Sequence, residues 1–384
     1  MTQESQSHGR DDVLACPEDR SPFWCSPYFK VLALLALLYI FFLSIGLIGN
    51  AAKLFGKGFA EQLIVTTSNP MVGLLIGILA TSVIQSSSTT TSLVVGFVGA
   101  NALNLTNAIP IVMGANIGTT VTNILVSFAH ATRHIEFKRA FAAAVVHDFF
   151  NILSVIILFP IELKFRIIEK SAIFLEKIFE NAGGLVLFNP LKYIIDPAIH
   201  LFDKIMGGLP HAGIFMAIAA LVFLFVALSQ MVVIIRSLVM GRFEIILDRY
   251  LFRNAVYAFL LATCLTAIVQ SSSVTTSIII PLAAAGILSL RQVFPYTLGA
   301  NMGTTITAII AALAIGNPAC VTVAFCHSLF NGFGICFFYP LRIIPITLAS
   351  KIGDFIGKSR KNAWIVIGCF MLIYVIPILL IILK

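Results

Sequence analysis

Eight consecutive residues, Gln85 to Ser92, each carry a hydroxyl or an amide, and they follow directly on an apolar stretch, Met71 to Ile84. Gln270 to Ser277 repeats this pattern with one interruption, Val274. Hydroxyls in such numbers can donate hydrogen bonds to an oxyanion or present oxygen to a hard cation such as sodium. The stretch before Gln85 would span only ~21 Å as a helix, short of a hydrocarbon layer of ~30 Å. Ser and Thr favour helix caps. Each run therefore reads as a helix broken at membrane depth, which is tolerated only where the backbone is buried in protein or lines a cavity. A helix N-terminus at such a break offers free N–H donors and partial positive charge, suited to an anion. The competing reading is that these small residues only let helices pack closely. Two matched copies with a leading glutamine favour a site.

The matching extends far beyond the serines. Thr81-Ser-Val-Ile-Gln-Ser-Ser-Ser recurs as Thr266-Ala-Ile-Val-Gln-Ser-Ser-Ser, from residue 81 to residue 266, a displacement of 185. Gly114-Ala-Asn-Ile-Gly-Thr-Thr-Val-Thr recurs as Gly299-Ala-Asn-Met-Gly-Thr-Thr-Ile-Thr at the same displacement. His147-Asp-Phe-Phe-Asn recurs as His327-Ser-Leu-Phe-Asn, now displaced by 180, and Pro160 and Pro340 close the two copies. The core is duplicated. The second motif supplies small residues for close backbone approach, with Asn116, Thr119, Thr120, Asn301, Thr304 and Thr305 as oxygen donors.

Charge is scarce where these motifs lie. No Asp, Glu, Lys or Arg occurs from Met71 to Ala129, and only Arg291 from Asn254 to Leu341. An anion held there meets no evident fixed cation, and burying unpaired charge is expensive. The neutralising charge is then expected to arrive as co-bound cations. Asp148 is the acid well inside an apolar run, and its counterpart is Ser328. An ionisable residue at membrane depth is a functional candidate, here an extra cation site in one half. The alternative is an ion pair with a base such as Arg139 near the interface. His147 and His327 read as packed, hydrogen-bonded residues rather than proton relays.

The elements that must position these residues are membrane helices. The chain has 384 residues, 59% hydrophobic and 11% charged, against about a quarter charged in soluble domains. Too little polar side chain remains to cover a water-soluble fold. The formal charge of +8 lies in short connections between apolar runs, a positive-inside pattern rather than a nucleic-acid face. After the first Gly-Ala-Asn span comes a connection bearing Arg133, Lys138 and Arg139, whereas its counterpart, Ala314 to Cys320, is uncharged. Equivalent loops then face opposite sides, as in inverted-repeat transporters with a midplane site. The expected fold is all-α and polytopic, two inverted repeats with broken helices.

The expected organisation is a polar tail over 1–30, a first membrane half over 31–162 and an amphipathic interfacial helix and connector over 163–210. A second half over 211–349 and a basic loop with a final membrane helix over 350–384 complete the chain. The repeat cores are 70–162 and 254–345. The tail mixes acids and bases and does not look like a cleaved signal. Five of the seven cysteines lie in apolar runs and read as small buried hydrophobes, and Cys16 and Cys25 as unpaired thiols in the tail.

At these residues the sequence resembles the type II sodium-phosphate cotransporter family. The resemblance rests on Gln85-Ser-Ser-Ser and Gln270-Ser-Ser-Ser, on Ile109-Pro-Ile-Val-Met-Gly-Ala-Asn-Ile-Gly-Thr-Thr-Val-Thr-Asn, and on Arg139-Ala-Phe followed by Val146-His-Asp-Phe-Phe-Asn. It implies a sodium-coupled importer of inorganic phosphate, not an enzyme and without a cofactor. Phosphate would bind Gln85, Ser86, Ser87, Ser88, Gln270, Ser271, Ser272 and Ser273. Sodium ions would bind alongside through Ser87, Thr89, Asn116, Thr119, Thr120, Asp148, Asn151, Ser272, Asn301, Thr304, Thr305 and Asn331. In the family, an aspartate at the Asp148 position goes with electrogenic transport. The resemblance also implies a multi-pass plasma-membrane protein with cytoplasmic termini. The short connector at 182–210 departs from animal members with a large glycosylated loop, and a short bacterial-type member fits.

The rivals are a carrier of another anion such as sulfate, a proton-coupled carrier using His147 and His327, and a sensor that binds phosphate without moving it. An intramembrane serine hydrolase would need one activated nucleophile and an oxyanion hole, yet the chain offers two equivalent serine runs.

Overall fold

A computed structural model describes residues 26–206, 211–251, 254–359, 361–366, 368–370 and 372. Most of the polar tail, with Cys16 and Cys25, and most of the final apolar run lie outside the described residues.

All regular elements among the described residues are helical. Six helical stretches are long and apolar enough to cross a bilayer, or seven if one bent pair is counted as a single span. The chain is a multi-pass membrane protein. Helix α1 (Pro27–Leu54) leads into α2 (Gly56–Thr67), which meets α3 (Pro70–Ile84) at a sharp bend of 103°. The bend has a local cause: the Asn69 side chain caps α3 by accepting from the Met71 amide, and Pro70 fits the first helical position, where its missing N–H costs nothing. Then follow α4 (Ser87–Gly99), α5 (Leu105–Gly118), α6 (Val121–Ser127) and α7 (His134–Phe165).

The described part of the segment after α7 is two helices, α8 (Ile167–Asn181) and α9 (Gly184–Met206). Glu162 at the end of α7 caps α8, with Oε2 accepting from the Ile168 amide at 2.6 Å and Oε1 from the Glu169 amide at 3.2 Å. Ile168 and Ala172 face inward while Phe174, Leu175 and Ile178 stay exposed, as on a helix at an apolar boundary.

The second half runs α10 (Ala212–Leu251), α11 (Ala255–Val269), α12 (Ser272–Ala284), α13 (Leu290–Ile315), α14 (Pro318–Phe338) and α15 (Ile343–Ile356). On α10, Met216, Ala220, Leu224 and Ala227 are buried against the protein, whereas Ile218, Leu221, Val222 and Phe225 are exposed. An exposed face this apolar belongs in lipid.

Within each half a short helix ending at a glutamine lies flush along the Gly-Ala-Asn helix: α3 along α5, and α11 along α13. Glycine makes the approach possible. A Cβ on Gly114 would fall 2.0 Å from the Leu74 carbonyl oxygen, and one on Gly299 would fall 2.1 Å from that of Phe259. Both neighbours are backbone, so no side chain can yield. Gly114→Ala is expected to destabilise the fold by about 2–3 kcal/mol, seen as a lower melting temperature of the detergent-solubilised protein. Gly58→Ala, with nothing within 4 Å of the added carbon, is the control that leaves it unchanged or higher. Equal melting temperatures would show that the helices separate freely.

The halves interlock. Helix α4 packs against α13 and α14, and α12 against α6 and α7, so each short serine-led helix is held by the opposite half.

Candidate functional site

The two serine runs break their helices in the same way. Gln85 ends α3 in the left-handed region (φ 57°, ψ 27°) and Gln270 ends α11 likewise (φ 56°, ψ 25°). A left-handed residue closes a helix end, and for a residue with a Cβ it is a strained choice. The next residue in each copy is an extended N-cap. Ser86 Oγ accepts from the Thr89 amide, and Ser271 Oγ from the Val274 amide. Among the described residues the amides of Ser87 and Ser88, and of Ser272 and Ser273, are left without acceptors. Each is an N-terminal turn with its positive end free.

These two turns meet. Ser88 Oγ donates to the Gln270 carbonyl at 3.2 Å. Ser87, Ser88, Thr89, Ser272 and Ser273 are all buried. Among the described residues the hydroxyls of Ser87, Ser272 and Ser273 make no hydrogen bond to protein. The glutamines differ. Gln270 is buried, with Oε1 unpartnered, while Gln85 is exposed. No Asp, Glu, Lys or Arg belongs to either turn, so an anion here would rest on neutral donors and helix ends.

A second set of polar side chains crosses between the halves. His147 Nε2 lies 2.6 Å from Asn301 Oδ1, and His327 Nε2 lies 3.3 Å from Asn116 Oδ1. Asn301 Nδ2 donates to Asn151 Oδ1 at 2.7 Å and to Asn331 Oδ1 at 3.4 Å, while Asn151 Nδ2 donates to the Asn116 carbonyl at 2.8 Å. All six side chains are buried. The amides of Asn301 and Asn116 donate elsewhere, that of Asn116 to the Val112 carbonyl at 2.9 Å, so their oxygens face the histidines as acceptors, an arrangement that suits a proton on each Nε2. The fold thus gathers Asn116, Asn151, Asn301 and Asn331 into one network, with their oxygens engaged by protein donors.

Thr119 and Thr304 donate to the carbonyls of Ala115 and Ala300, and Thr305 to that of Met302. Thr120 Oγ1 likewise reaches a carbonyl, that of Ile117 at 2.9 Å, and it also meets Asp148 Oδ1. Asp148 is 1% exposed, and Oδ2 has no partner among the described residues. Its partner is a hydroxyl and not Arg139, so the ion pair weighed above does not form. A buried carboxylate oxygen beside threonine oxygens is a donor set that suits a hard monovalent cation.

Asn123 closes the motif stretch that begins at Ile109, and the residue order alone assigns it no place in the site. It accepts from Thr276 at 2.8 Å and ties α12 to α6. Its counterpart in the second copy is Ala308, so the duplication itself gave no signal.

The Na+/Pi-cotransporter family model matches residues 40–172 and 222–337, which include both serine runs, the asparagine network and Asp148. The chain belongs to the Na+/Pi-cotransporter family. This is a family of transporters, not of enzymes. The rat sodium-dependent phosphate transport protein 2A is 32% identical over 422 residues, covering 90% of this chain and 66% of the relative. The human sodium-dependent phosphate transport protein 2B is 31% identical over 427 residues, covering 86% and 62%. The chain therefore matches a little under two thirds of the length of these relatives. No solved structure matches it. As a member of the cotransporter family, it holds the family model's match in two blocks, and the gap between them falls on α8, α9 and the start of α10.

Proposed function

We propose that this chain is a sodium-coupled symporter that imports inorganic phosphate across the plasma membrane by alternating access, with net movement of charge. The observation that carries the reading is the meeting of two free helix N-termini at Ser87–Ser88 and Ser272–Ser273. Backbone amides and hydroxyls there offer an oxyanion a neutral cradle, and Gln85, Ser86, Gln270 and Ser271 close the two turns. Such a cradle does not neutralise a phosphate, so cations must enter with it. Asp148 with Thr120 is the leading cation site. Thr89, Thr119, Thr304, Thr305 and the asparagines 116, 151, 301 and 331 are the remaining oxygen donors within the repeats. Inverted orientation of the two copies, with cytoplasmic termini, would let the same site open to either side. The names of the relatives, sodium-dependent phosphate transport proteins, agree with this choice of anion and cation.

The test is radiolabelled phosphate uptake with simultaneous current recording in reconstituted vesicles. Replacing external sodium by choline is expected to reduce uptake to the level of empty vesicles. Uptake that survives in choline but follows a pH gradient would turn the reading to proton coupling, and uptake of sulfate in place of phosphate would change the cargo.

A further inference from the structure

We propose that a basic cavity beside the loop joining α12 to α13 is a vestibule that holds the transported oxyanion between the central site and the cytoplasm. This rests on the phosphate-transport reading above. The cavity has a volume of about 340 Å³ and is lined by Lys138 and Arg139 of α7, by Gly286, Ser289 and Gln292 of the loop and α13, and by Ser350 of α15. A volume of that size holds an oxyanion with part of its hydration shell, since one water occupies ~30 Å³.

The lining is built to donate. Lys138 is anchored by Asp354 at 2.5 Å. Arg139 has no ion pair or hydrogen bond among the described residues. Its guanidinium lies against Gly286, where an added Cβ would stand 2.5 Å from Nη1. Gly286 has φ 79°, which a side chain would also strain. Gln292 turns its Oε1 inward to the Ser289 amide and hydroxyl, at 3.0 and 2.7 Å, and keeps its NH₂ as a donor. Among the described residues no carboxylate lines the cavity. A guanidinium with its donors unspent, in a concave site without acids, is suited to phosphate geometry.

It lies one helix length from the central site. Helix α12 begins at the free turn of Ser272 and ends at this cavity, ~20 Å away for a helix of 13 residues. The other half repeats the plan. A cavity of about 470 Å³ lies at the end of α4, bordered by Gly99, Ala100, Lys53 and Asn317, and unlike the first it has a carboxylate, Asp196, in its wall. The two helix ends share one backbone. The amides of Ala102 and Leu103 bond the Phe97 carbonyl at 2.9 and 3.2 Å, and those of Ile287 and Leu288 bond the Leu282 carbonyl at 2.9 and 3.3 Å. Asn101 and Gly286, displaced by 185, both have positive φ. The two loops are therefore equivalent in the two copies, and a cavity lies beside each. Lys138 and Arg139 belong to the basic connection that the positive-inside pattern assigns to the cytoplasm.

The experiment uses the full chain reconstituted in phosphatidylcholine vesicles and measures the half-saturating phosphate concentration at each face. Arg139→Gln is expected to raise it at the Arg139 face about fivefold more than at the opposite face, and Arg139→Lys to restore part of the difference. An impermeant salt added at the Arg139 face should shrink the gap between wild type and variant by screening. A uniform loss of rate with the ratio between faces unchanged overturns the vestibule, as a folding defect would produce it. So does an effect that appears only when anionic lipid is included, because the guanidinium then holds a lipid headgroup. Wild-type vesicles without sodium-dependent phosphate uptake would remove the transport reading itself; normal wild-type transport with an unshifted Arg139→Gln ratio removes the vestibule alone.

Discussion

Gln270→Ala is expected to lower sodium-dependent phosphate uptake about a hundredfold while the protein inserts and folds normally. The Gln270 amide is buried beside the meeting point of the two serine turns, with Oε1 unpartnered. Truncating a group that bonds a charged ligand removes about 1.5–3 kcal/mol, and the upper end of that range is two decades in affinity. The backbone offers no competing explanation. Alanine carries a Cβ just as glutamine does, so the left-handed turn at φ 56° is no more strained than before. The Ser88 hydroxyl bonds the Gln270 main-chain carbonyl, and that bond survives the substitution. Gln270→Glu should be as severe or worse, since a carboxylate would face the anion. Size-exclusion behaviour in detergent reports folding, and initial uptake rates report function. Normal uptake by a well-folded Gln270→Ala protein would remove this residue from the site. Gln85→Ala is expected to act in the same direction.

Asp148→Asn is expected to abolish phosphate-evoked current while part of the phosphate uptake remains. Asp148 is the buried acid within the repeat cores whose counterpart, Ser328, carries no charge. The asparagine keeps an oxygen for the Thr120 hydroxyl but removes the charge that would hold one cation more than the anion balances. A glycine would also remove the charge, yet it costs roughly 1 kcal/mol in the middle of a helix, so asparagine isolates the electrostatic effect. The measurement is the ratio of charge moved to phosphate taken up in the same vesicles. A ratio equal to that of wild type would show that Asp148 does not set charge movement.

Much of the site could be read from the order of residues. The doubled Gln-Ser-Ser-Ser implied two helix breaks, because hydroxyl-rich runs cap helices and a 14-residue apolar stretch cannot cross a bilayer; the breaks fall at Gln85 and Gln270 with matching dihedral angles. The glycines of the second motif implied close backbone approach, and Gly114 and Gly299 lie against carbonyl oxygens. The histidines read as packed residues, and each bonds an asparagine of the other half. Other features were illegible. Helix α2 carries too few apolar residues in a row to stand out as a membrane run. Asn123 has no repeat counterpart, so its bond to Thr276 left no trace in the duplication. Arg139 looked like a topology signal, and only the fold brings it onto Gly286.

The sequence by itself determined the solvent, the duplication and the two broken helices, since each follows from local hydropathy, capping and strain in neighbouring residues. Only the tertiary structure decided which partners meet: Ser88 with Gln270, His147 with Asn301, and Thr120 with Asp148. The reason is geometric. A repeat fixes what each half can offer, whereas the way two halves interlock depends on packing between helices far apart in the chain, which leaves no periodic pattern in either one.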